Sequence, residues 1–158
     1  MKRIAQILSI VLAAAPFLVQ AALTPQDTKE VLAYKLTVPV ANRILTALPE
    51  VTQLVISQPD ARARIAKAAT ASLEERIKDA EASPKTVDLL KQHDLTPRDY
   101  IVGVVALRMA LMAATLPTAN SPGSPIVASP ENIAFAKAHP ELRPKMEAAD
   151  RAGIPQRR

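Results

Sequence analysis

"LTPRDYIVGVVALRMALMAATLP", residues 95–117, decides the fold. It begins as a capped helix and continues as an apolar run in which Arg108 is the sole charge after Asp99. A helix apolar around most of its circumference is either buried on nearly all sides or embedded in a membrane. As a span this one is short against the ~20 apolar residues that crossing hydrocarbon requires, and it carries an arginine mid-run. The pattern therefore predicts the axis of a helical bundle over about residues 97–116. Gly103, Ala106, Ala110 and Ala113 fall on one stripe, where neighbouring helices can come close, and Val105, Met109, Met112 and Leu116 fill space on another. Arg108 has two readings. Its stem can pack along a neighbour while the guanidinium reaches solvent or a structural carboxylate. Alternatively, an enclosed guanidinium, which must be paired, recognises an anion in a cavity.

Working outward, the N-terminus "MKRIAQILSIVLAAAPFLVQAALTPQD" has a basic start at Lys2 and Arg3, an apolar run from Ile4 to Val19, and small residues ending at Ala21. That is the pattern of a secretory signal peptide over residues 1–21, cleaved after Ala21. It predicts a periplasmic or secreted protein. Cleavage lowers the formal net charge from +5 to +3. A mild, dispersed excess is not a nucleic-acid footprint, which needs Lys and Arg clustered on one face. Tyr34, Tyr100 and Phe135 are too few to stack bases. With no cysteine anywhere, stability in an oxidising compartment must come from packing.

Ser or Thr followed by Pro recurs as "TPQD" at 24–27, "SPK" at 83–85, "TPRD" at 96–99 and "SPEN" at 129–132. The hydroxyl accepts from free helical N–H groups, and proline in the first turn loses nothing because its N–H would have had no partner. Each occurrence is read as a helix start, with "SQPD" at 57–60 a looser version. Val31, Leu32, Lys35 and Leu36 outline a first helix with Tyr34 near its end. Val40, Ile44, Leu45 and Leu48 outline a second, with Pro49 starting or kinking the next segment. Ile65, Ala69, Leu73, Ile77 and Ala80 place one continuous helix over 60–82. Its other face carries Arg62, Arg64, Lys67, Glu74, Glu75, Lys78 and Asp79, read as a solvated face with Asp60–Arg64 and Glu74–Lys78 pairs. A short helix covers 84 to about 93. "LPTANSPGSPIVASP", 116–130, is an exposed, mobile linker, helices follow at 130–138 and 140–152, Gly153 ends the last, and 154–158 frays. No segment alternates like a strand. The expected fold is all-α: six or seven short helices around the central apolar one, in a single domain spanning 22–153.

Little in the chain points to chemistry. His93 and Asp94 adjoin without a partnered nucleophile and read as a polar helix-end turn. His139 reads as a loop residue, and the two histidines lack metal-ligand spacing. Met109 and Met112 read as core filling. There is no phosphate-cradling glycine loop and no nucleophile elbow. No cofactor, metal site, catalytic residue or stable membrane span is expected.

The layout "YKLT" at 34–37, "QPDAR" at 58–62, Pro84, and then Leu95, Thr96, Pro97, Arg98, Asp99 and Tyr100 leading into an Ala-rich apolar helix resembles uncharacterised small exported helical proteins of Gram-negative bacteria. That resemblance implies an all-helical exported fold and supplies no activity. "LTPQD" at 23–27 and "LTPRD" at 95–99 are also similar to the Leu-Thr-x-x-Gln motif of periplasmic helical stress chaperones, with Asp27 and Asp99 where that motif has glutamine. The functional expectation is an exported, non-enzymatic protein that binds an envelope partner protein or a small apolar or anionic ligand. A chaperone holding unfolded clients is the alternative. Tyr34, Arg43, Tyr100 and Arg108 combine polar reach with apolar bodies and are the expected binding residues.

Overall fold

In a computed structural model, residues 23–116, 121 and 124–153 are described. The expected signal peptide, the tail at 154–158, and residues 117–120 and 122–123 of the linker lie outside them. Among the described residues the chain forms eight α-helices and no strand: α1 Pro25–Ala33, α2 Val38–Ile56, α3 Ala61–Thr70, α4 Leu73–Glu81, α5 Pro84–Gln92, α6 Pro97–Ala113, α7 Pro130–Ala138 and α8 Leu142–Ala152. No helix among them is long and apolar enough to cross a membrane.

α6 is the axis. It buries eleven of its seventeen residues, and α1, α2, α4, α5 and α7 all pack against it. Val31, Ile44, Leu73, Ile77, Leu90, Leu107, Met109 and Leu142 are the most deeply buried large side chains, so the core draws on six helices. Burying a side chain of this size contributes ~1.5–3 kcal/mol, which is how a chain without disulfides holds together. Gly103 marks the tightest approach. A Cβ there would lie 2.6 Å from Ile44 Cδ1 and 2.8 Å from the Tyr34 hydroxyl oxygen, so only glycine lets α2 and Tyr34 seat on α6.

All four Ser/Thr-Pro sites start helices, with proline in the first turn. Thr24 with Asp27 and Thr96 with Asp99 form reciprocal capping boxes, and Ser129 accepts from the Asn132 amide. Ser83 makes no such bond to the backbone.

Three expectations are corrected. α1 stops at Ala33, and residues Tyr34–Thr37 run between helices because Thr37 caps α2. The buried Asn132 side chain holds that segment as a paired backbone would. Its Oδ1 accepts from the Leu36 amide at 3.0 Å, and its Nδ2 donates to the Tyr34 carbonyl at 2.7 Å. The continuous helix over 60–82 is in fact two, because Ser72 and Glu75 form a capping box that opens α4. The signature S-x-x-E is present in "SLEE", but the apolar period runs straight through it. Finally, the stretch before α7 is not simply exposed: Ile126, Ala128 and Ser129 are buried. Gly153 does follow α8, with an ordinary right-handed φ of −72°. Its small size matters because a Cβ would meet Thr52 at 2.7 Å.

Candidate functional site

Asp27 shows how a capping residue becomes a tertiary one. Its Oδ2 accepts from the Thr24 amide at 3.0 Å, and its Oδ1 accepts from the Leu73 amide, the first N–H of α4, at 3.2 Å. One buried carboxylate thus serves two helix N-termini, where the partial positive charge favours it. Arg76 lies nearby, donating through Nε to the Ala71 carbonyl at 3.0 Å. Burial lowers its pKa, and the charge of Asp27 opposes that shift. At the same end of the bundle Arg98 spans Glu30 on α1 at 2.9 Å and Glu74 on α4 at 2.6 Å. The "TPRD" cap therefore joins three helices, and Glu74 reaches Arg98 more closely than it reaches Lys78, at 3.8 Å.

Arg108 is buried, and its guanidinium is paired with Asp150 of α8, the structural-carboxylate form of the first reading. Its Nε is enclosed without a hydrogen-bond partner. Tyr100 is buried on the same helix. Burial raises its pKa, Arg108 pulls it back down and Asp150 adds to the rise. Tyr34 is half-buried and donates from its hydroxyl to the Asp99 carbonyl at 3.1 Å. Burial, with a smaller contribution from the Asp99 charge, pushes its pKa up to about 12. Arg43 is exposed on α2. The structure thus brings Arg108 and Tyr100 into one electrostatic environment and sets Tyr34 on the first turn of α6. No hydrogen bond or ion pair among the described residues joins Arg43 to these three.

The histidines are placed differently from each other. His93 turns inward from the end of α5, leaving Nε2 3.3 Å from Glu50 Oε2 but without hydrogen-bond alignment. The His139 ring lies 4.8 Å from the Phe135 ring, and its Nδ1 is 3.2 Å from Glu141 Oε1. No group of three or more His, Asp or Glu suited to holding a metal occurs among the described residues.

One element stands out, and the sequence pattern hides it within the solvated face of the expected 60–82 helix. α3 buries none of its ten residues. It is tied to the body through side chains at its rim. Lys67 Nζ bonds the Asp79 carboxylate at 2.9 Å, and Arg64 Nη1 donates to Gln58 Oε1 at 2.6 Å rather than pairing with Asp60. A polar cleft of about 380 Å³ lies between α3 and the α4–α5 junction, lined by Asp60, Arg64, Lys67, Asp79 and Ser83, with Ala63 and Ala82 between them. Periodicity could not have isolated α3. Ile65 and Ala69 fit the apolar stripe, and only the break at Ser72 frees the helix from it. Compared with known proteins, the chain matches no family model, no curated protein and no solved structure.

Proposed function

We propose that this chain is an exported, non-enzymatic helical protein that binds a partner protein, with α3 as the contact element. The carrying observation is that α3 has no fully buried residue, although every other helix among the described residues has at least two. Isolated helices of ten residues are marginal in water, and most helical stability in proteins comes from packing an apolar face. A helix whose apolar side is only partly buried gains stability when a partner covers its exposed side. The small-anion alternative has less support, because the Arg108 charge is already met by Asp150.

The test is site-specific photocrosslinking in cells, with benzoylphenylalanine replacing exposed Ala63 or Ala66 on α3, and exposed Glu147 on α8 as the reference position. A discrete protein adduct from α3 and none from Glu147 is expected. Its absence from α3, or equal labelling at all three positions, would refute the reading. Mass spectrometry of the same material should find a mature N-terminus at Ala22, and an intact residue 1 would contradict export by signal cleavage.

A further inference from the structure

We infer that the partner surface meeting α3 is an acidic helix. This rests on α3 being the partner-binding element, and it adds the chemistry of what binds there. α3 carries Arg62, Arg64 and Lys67 and no acidic residue within its ten. Elsewhere Arg98 is paired with two glutamates and Arg108 with Asp150, while Arg76 and Arg143 bond only neutral oxygens, on helices that contribute to the core. On α3 only Lys67 has an ionic partner among the described residues, and that pair is open to solvent, with 63% and 46% of the two side chains exposed. Exposed pairs of this kind contribute little and exchange readily. Arg64 bonds a neutral amide, and exposed Arg62 enters no ion pair among the described residues. Two positive charges therefore stand without an ion pair on a helix that contributes no fully buried residue to the core.

The surface between the charges selects a helix over a lipid. By helical spacing Ala63, Ala66 and Thr70 form a strip, with Arg62 along one edge and Lys67 along the other, and Arg64 farther round on the cleft side. Methyl-sized side chains let a second helix axis come close, since interaxial distance follows side-chain size at the contact. Carboxylates projecting from both flanks of that second helix would meet the two cationic edges. A helix lying on a membrane instead needs large apolar side chains to insert. The one large apolar residue of α3, Ile65, is half-buried against the protein.

The test uses the full-length chain with benzoylphenylalanine at Ala66, crosslinked in cells, in three backgrounds: otherwise wild type, Arg62→Glu with Arg64→Glu, and Lys29→Glu with Lys137→Glu as a control of equal charge change on α1 and α7. The α3 reversal should cut adduct yield about tenfold, the control should leave it near wild type, and the crosslinked partner peptide should be rich in Asp and Glu. Circular dichroism of the purified variants checks that all remain folded, as expected where no altered side chain is buried. Unchanged yield in the reversal, an equal fall in the control, or a phospholipid as the trapped species would each overturn the acidic-helix inference while leaving a contact at α3. No adduct in the otherwise wild-type chain would instead refute the reading of α3 as the contact element.

Discussion

Arg108 is the more enclosed member of its pair, with 10% of its side chain exposed against 27% for Asp150. Removing the carboxylate strands a buried cation, whereas removing the arginine leaves an acid that water can reach. Asp150→Ala should therefore cost ~3 kcal/mol in urea unfolding, and Arg108→Leu distinctly less. Arg108→Met with Asp150→Leu should recover most of the loss, because apolar replacements of a buried pair are commonly close to neutral. Equal costs for the two single variants would contradict the burial asymmetry. The tyrosines report on the same packing. In the unfolded chain they titrate near ~10, but in the fold Tyr34 is held to about 12 and Tyr100 is shifted in the same direction. The unfolded state thus releases protons first. The stability contributed by these neutral hydroxyls is complete below pH ~10 and is lost as pH rises through the folded values. Spectrophotometric titration of the native protein should show no tyrosinate step near pH ~10, and such a step would contradict the burial described. Asp94, at φ 51°, ends α5 in the left-handed region. The Asp94 amide bonds the Lys91 carbonyl at 3.1 Å, and the Leu95 amide bonds the Leu90 carbonyl at 3.0 Å, both the hallmark of a Schellman end. Asp94→Gly should raise thermal stability, by up to ~1 kcal/mol, because glycine carries no Cβ penalty there. A fall in melting temperature would contradict it.

At the scale of elements, Gly103 sets the contact between α2 and α6. Gly103→Ala improves intrinsic helix propensity by ~1 kcal/mol, but it drives a methyl against Ile44 and Tyr34. The overpacking should win, for a net loss of ~1–2 kcal/mol in denaturant unfolding. Adding Ile44→Val, which deletes the closest atom, should return part of it; no rescue would place the clash elsewhere. Much at this scale is legible from the residues alone. The Ser/Thr-Pro starts locate α1, α5, α6 and α7, and the apolar run of residues 100–113 identifies the axis, because capping and full burial each leave a local mark in sequence. What is not legible depends on distant partners. Nothing around Asn132 announces that it serves the backbone at Tyr34 and Leu36, nothing near Arg108 points to Asp150, and Asp27 reads as a local cap although it also holds α4. The split between α3 and α4 is present locally in Ser72 and Glu75, yet a stripe from Ile65 to Ala80 outweighs it. Of the expected binding residues, the aromatic and cationic side chains near α6 are engaged with the protein's own groups. The cations of α3 look like ordinary solvated charge until the structure shows that no residue of that helix is fully buried.

Among the described residues, seven helices share one core built around α6, and α3 places no fully buried residue in it. Such a division should appear as a division of stability. Segments with few buried contacts open locally, with free energies well below the global value that governs core helices. Native-state hydrogen exchange of the purified protein, followed residue by residue, tests whether α3 is held for a partner and not by the core. The amides of α3 are expected to exchange faster than those of α6 by on the order of a hundredfold or more, through openings that leave α2, α4 and α6 protected. Protection of α3 equal to that of α6 would show that it folds as part of the core and is not held for a partner.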